Sequence, residues 1–109
     1  MSTASQGRAR EYRVRDHLIE HGWVLIMRAA ASKGPADLAM AHPEHGLALV
    51  QVGTDGKDLG PAARTRFLDA ADLCGALPLV ARVKGKIRYS ILTPGPASTW
   101  TDWAPTKPQ

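Results

Sequence analysis

The stretch from Pro35 to Gly53, PADLAMAHPEHGLALVQVG, decides how the rest of the chain is read. Asp37 opens an apolar run, Leu38 to Ala41, that is strand-sized. His42 to Gly46 is a turn rich in Pro, Gly and His, and Leu47 to Val52 returns as another strand. Two strands on so short a connection pair antiparallel, which sets the start of the first beside the end of the second. Asp37 and Gln51 are thereby expected as neighbours. Alternation along the second strand sorts Leu49, Gln51 and Gly53 onto one face, and Val50 and Val52 onto the other.

Upstream, Trp23 to Met27 is a continuous apolar run that reads as a buried strand, followed by Arg28. Ala29 to Pro35, with Ser32 and Lys33, reads as a loop. Before that strand, residues from about Gly7 to His21 suit a helix, with Tyr12, Val14, Leu18 and Ile19 gathered at helical spacing and Gly22 as its stop. At about 100° per residue, Glu11 falls within roughly 30° of the centre of that apolar stripe. A carboxylate aimed inward is costly unless something pairs with it. His17 and His21 are four residues apart, but the wheel sets both toward solvent and no HExxH arrangement surrounds them.

Downstream, Gly53 to Gly60 is a polar loop holding Lys57. Pro61 suits a helix first turn and Gly75 its end, with Phe67, Ala70, Ala71 and Cys74 as the apolar stripe. Leu77 to Val83 and Ile87 to Leu92 are strands joined at Lys84-Gly85-Lys86. The order α-β-β-β-α-β-β predicts an α/β fold with a central mixed sheet of about five strands flanked by helices. Residues 1–93 form this expected domain. Residues 94–109, Pro-rich with Trp100 and Trp103, form a C-terminal tail that is either mobile or laid as a strap over the domain's surface or a partner.

Composition narrows the function. A chain of 109 residues with 44% hydrophobic and 22% charged residues is one ordinary globular domain. A single cysteine, Cys74, excludes an intrachain disulfide and a cysteine zinc cluster. The basic start has no apolar secretory core, and the longest apolar runs are too short to span a bilayer, which reads as cytoplasmic. Net charge is +4, from 14 Lys and Arg against 10 Asp and Glu. The cations crowd two places, Arg8 to Arg15 and Arg82 to Arg88, as in surfaces that neutralise phosphates. Glu11, Asp37 and Gln51 offer three oxygen side chains of the kind that hold a hard cation, Mg²⁺ or Mn²⁺. Such an ion polarises a scissile phosphate and lowers the pKa of an attacking water.

The ordered set resembles the PD-(D/E)XK nuclease superfamily. It comprises Gly7-x-x-x-Glu11 on a helix, Arg28, a Ser-containing loop, Pro35-Ala-Asp37 and Leu49-Val-Gln51-Val. Within that superfamily it looks most like archaeal and phage-type Holliday-junction resolvases, over about residues 7–92. The resemblance implies a metal-dependent endonuclease acting on branched or four-way-junction DNA, as a homodimer, encoded by a bacterium, an archaeon or a phage. It makes Glu11, Asp37 and Gln51 metal-site and catalytic residues. Arg8, Arg15, Arg28, Ser32, Lys33, Lys57 and Arg64 become candidate DNA contacts, Arg64 through its place near a helix start.

One departure is sharp. The pattern ends in acid-x-Lys or Gln-x-Lys, and this chain ends in Gln51-Val52-Gly53. Losing a preorganised charge-stabilising donor costs about 10²–10³ in rate. Three accounts of Gly53 stand open: Lys57 or Lys33 reaches the same spot, the domain binds DNA or protein without cutting, or the lysine was replaced deliberately in this form.

Overall fold

Both helices end on the same backbone device. The computed structural model describes residues 3–28, 36–54 and 59–105, with side chains from Arg8 onward. Helix α1 spans Thr3–Glu20, and Gly22 follows it at φ 90. The Trp23 amide returns to the Leu18 carbonyl, and the Gly22 amide to that of Ile19. Helix α2, Pro61–Cys74, repeats this with Gly75 at φ 67, as the Ala76 amide bonds Ala71 and the Gly75 amide bonds Asp72. Both are Schellman caps, in which a glycine takes the left-handed conformation that a Cβ would penalise. Each helix is turned directly into the strand that follows it.

Six strands form one sheet in sequence order. They are β1 (Val24–Arg28), β2 (Leu38–His42), β3 (Gly46–Gly53), β4 (Leu77–Lys84), β5 (Lys86–Ile91) and β6 (Thr101–Trp103). All neighbours run antiparallel except β3 and β4, which are parallel and connected through α2. A parallel pair cannot be closed by a tight turn and needs such a crossover. The β1–β2 ladder carries an irregularity between Leu25 and Met27, so that Leu25 faces Met40 while Arg28 faces Leu38.

The sheet separates two apolar layers. On the α1 side, Val14 and Leu18 pack with Leu38, Met40, Val50, Leu79 and Tyr89. On the α2 side, Phe67 packs with Val80, Leu92 and Trp100. The architecture is α/β with a central mixed sheet and helices on both faces, as the sequence predicts, with six strands rather than five. The sixth comes from the C-terminal segment. Trp100 is buried, its indole Nε1 donates to the Gly95 carbonyl at 3.1 Å, and Asp102 pairs with Ser90. No helix among the described residues is long and apolar enough to cross a membrane.

Three expectations need correction. Strand β1 is not buried: Val24, Ile26 and Met27 are 62%, 56% and 59% exposed. It is the sheet's edge, and α2 packs over β3 and β4, so that among the described residues no helix covers the outer face of β1. On α1, Val14 and Leu18 alone of the expected stripe are buried, while Tyr12 and Ile19 flank the contact and stay exposed. His17 does not face solvent, because its Nδ1 lies 2.9 Å from the Tyr89 hydroxyl on β5.

These packing differences set the stability expected of variants. Phe67→Ala, at a site with no exposure, should cost about 3–5 kcal/mol. Ile26→Thr on the uncovered face of β1 should stay within about 0.5 kcal/mol. Denaturant unfolding of the two variants checks the contrast, and equal losses would mean that the face of β1 is covered in solution.

Candidate functional site

The site is assembled where β2 begins and β3 ends. Asp37 stands one residue ahead of β2 and is 5% exposed. Its amide donates to the Val50 carbonyl at 2.9 Å, and its Oδ2 accepts the Val52 amide at 2.8 Å. The two bonds straddle Gln51, so Asp37 and Gln51 are neighbours, as the hairpin register requires. A buried carboxylate is held here mainly by backbone, with no cation in hydrogen-bonding contact among the described residues.

Glu11 reaches the same region from α1. Its Oε1 accepts from Arg28 Nε at 2.9 Å, and both side chains are largely covered. The inward-facing carboxylate expected on the wheel is therefore paired. Arg28 in turn lies over the Tyr12 ring, 5.2 Å from its centroid, with Arg15 over the same ring at 4.6 Å. Tyr12 thus acts as a platform for two guanidinium groups, a role that its apolar spacing in the sequence does not reveal. Arg15 also pairs with Asp16 at 2.8 Å.

The electrostatics converge on Asp37. Burial pushes its carboxyl above the ordinary value of 3.8, the Val52 hydrogen bond draws it down, the nearby Glu11 charge raises it and Arg28 lowers it. Two carboxylates therefore sense one another, with a single guanidinium offsetting them. The donors that sense one another are two carboxylate pairs of oxygens, and the Gln51 amide stands beside Asp37 on the strand position that faces the α2 layer. That set suits a hard divalent cation, which would relieve the repulsion between Glu11 and Asp37. Among the described residues, no group of three or more His, Cys, Asp or Glu side chains could hold a metal ion, so Gln51 or a backbone oxygen would have to complete the set.

Gln51 and Gly53 lie on the α2 side of the sheet, since Val50 and Val52 belong to the α1-side core and Leu49 to the α2-side core. In the parallel ladder Gln51 faces Val80 and Gly53 faces Arg82. The backbone of Gly53 is not in the left-handed region. A Cβ added there would meet nothing within 4 Å among the described residues. Among the described residues, nothing at this position demands glycine.

The remaining candidates scatter. Arg8 is exposed on α1. Arg64 holds the Leu59 carbonyl through Nη1 at 2.7 Å, tying the α2 entrance to the preceding loop. Ser32, Lys33 and Lys57 lie outside the described residues.

No family model matches the chain, and no curated protein matches it either. Among solved structures, the Hjc Holliday junction resolvase of Archaeoglobus fulgidus aligns with a TM-score of 0.65 and 16% identity. The alignment covers 81% of this chain and 78% of that one. The two share a fold. At that identity the likeness speaks for architecture and leaves the chemistry to the residues themselves.

The raised carboxyl of Asp37 has a thermodynamic signature. Between its ordinary value of 3.8 and its higher folded value, the folded chain holds the proton more tightly than the unfolded chain. Stability therefore falls as pH rises through that window, and the full deficit persists above it. Asp37→Asn should melt at a higher temperature than wild type at pH 7, and the gain should vanish as pH falls toward 3.8. An equal or lower Tm at pH 7 would show that Arg28 and the Val52 bond outweigh burial.

Proposed function

We propose that this chain is an intracellular protein of the Holliday-junction-resolvase type. It binds branched DNA as a homodimer and descends from metal-dependent endonucleases of the PD-(D/E)XK superfamily. Residues 1–93 form the nuclease-like domain and residues 94–109 a C-terminal extension. The observation that carries this reading is the buried Asp37 beside Glu11, where β2 begins and β3 ends, in a fold shared with an archaeal resolvase.

In this reading Glu11, Asp37 and Gln51 hold Mg²⁺ or Mn²⁺, which when bound polarises the scissile phosphate and activates water. Gln51 brings no negative charge, so the ion is held more weakly than by three carboxylates. Arg28, fixed by Glu11 and Tyr12, orients the strand at the site. Arg8, Arg15, Ser32, Lys33, Lys57 and Arg64 supply phosphate contacts, which position the backbone without reading sequence. Gly53 lacks the cation that would offset charge developing on the phosphate, and hydrolysis is correspondingly impaired.

A second reading is favoured by Gly53 itself: a module that binds DNA or protein on the nuclease fold without cutting. Labelled four-way junctions incubated with Mg²⁺ or Mn²⁺ separate the two. Gly53→Lys should nick the junction symmetrically, at least about 10² faster than wild type, and Asp37→Ala in that background should abolish nicking. If Gly53→Lys does not cut, the non-cutting module is correct. If Asp37→Ala also leaves junction binding unchanged with and without the ion, the metal-site assignment falls.

A further inference from the structure

The α2 side of the sheet ends in a cleft of about 140 Å³ lined by Arg82, Lys84, Lys86 and Arg88. The β4–β5 register sets Arg82 directly opposite Arg88, and Lys84 opposite Lys86. Alternation places all four on one face, because Ala81, Val83, Ile87 and Tyr89 belong to the α1-side core and Val80 to the other. Like charges directly opposed across a ladder destabilise it. Here two such pairs are stacked, and among the described residues no carboxylate lines the cleft. Among the described residues the ion pairs are Arg15–Asp16 and Arg28–Glu11, neither of which engages Lys84, Lys86 or Arg88.

One end of the arrangement and its backbone are anchored. The Arg82 guanidinium lies over the Trp100 ring at 5.1 Å. Gly85 turns the hairpin at φ 71, and its carbonyl accepts from Arg13 Nη2 at 2.6 Å, which pins the tip to α1. Successive cation pairs are two residues apart along the strands, about 6.7 Å, comparable with the distance between consecutive phosphates on one nucleic-acid strand. A preset backbone and a seated Arg82 reduce the entropy lost on binding. The cleft starts at Arg82, the ladder partner of Gly53, so it continues the end of the sheet where Asp37 and Gln51 sit.

We propose that this cleft is a second phosphate-binding site, which holds the sugar–phosphate backbone of a DNA arm leaving the Glu11–Asp37 region. The proposal rests on the DNA reading above and adds a surface apart from its metal site. A lone phosphate would fill one pair of cations; two pairs in line at backbone spacing fit a continuous strand.

Fluorescence anisotropy over a series of salt concentrations tests it, with a labelled four-way junction and a linear duplex. Lys84 and Lys86 are exposed, so Lys84→Gln/Lys86→Gln should fold normally, as a matching melting curve shows. Each lost phosphate contact removes about 0.9 from the slope of log K against log salt. The double variant should lose nearly two in slope and roughly tenfold in affinity at low salt, for both DNAs, and Lys84→Arg/Lys86→Arg should restore both. An unchanged slope overturns the cleft and leaves the junction reading standing. A lowered slope with no preference for the junction over the duplex supports the cleft and overturns the branched-DNA reading. Wild type that binds phosphatidylserine vesicles and not DNA overturns the proposal.

Discussion

The parallel pairing of β3 with β4 is the constraint from which the rest of the molecule follows. A parallel neighbour cannot be reached by a hairpin, so the chain must leave the sheet after Gly53, cross it as α2 and re-enter at Leu77. That crossover covers the second face of the sheet and creates the small core around Phe67 and Val80. It also brings the C-terminal ends of β3 and β4 together, with Gly53 against Arg82. Neither the candidate metal region nor the cationic cleft would exist as a neighbour of the other if β4 entered antiparallel.

Against that frame, the site balances charge with little to spare. Asp37 is buried for the sake of position, and its hydrogen bond to the Val52 amide locks the end of β3. Glu11 comes with its own cation, Arg28, which is itself seated on Tyr12. Among the described residues one guanidinium, Arg28, faces two carboxylates in a covered place, and leaving both charged is costly. On the α2 side of the sheet four cations line one cleft.

Much of this was legible in the residues because it depends on short-range rules. The Asp37–Gln51 adjacency follows from hairpin register, the inward Glu11 from the helix wheel, and both helix ends from Gly22 and Gly75. What escaped depends on which faces acquire a covering layer. The run Val24 to Met27 is as apolar as a buried strand, yet its place at the sheet edge is a property of the topology. His17 faces Tyr89 because β5 arrives seventy-two residues later to meet it. Trp100 and Trp103 gave no period to read, since β6 is three residues long and its pairing with β5 is decided by the core beneath. The cleft was hidden for a similar reason: a hairpin tip with Lys84 and Lys86 looks solvated until the register aligns the four charges.

The irregularity in β1 has a consequence of parity. Arg28 lies three positions beyond Leu25, but their partners Leu38 and Met40 are two positions apart, so the chain holds one residue more than its neighbour. In an unbroken strand an odd step would turn Arg28 to the far side of the sheet, away from Glu11. The extra residue cancels that step and returns the guanidinium to the α1 layer, where Glu11 accepts it. One surplus residue at an exposed edge therefore decides whether a carboxylate in the interior has a counterion. Length, at this point in the chain, is as binding a requirement as residue type.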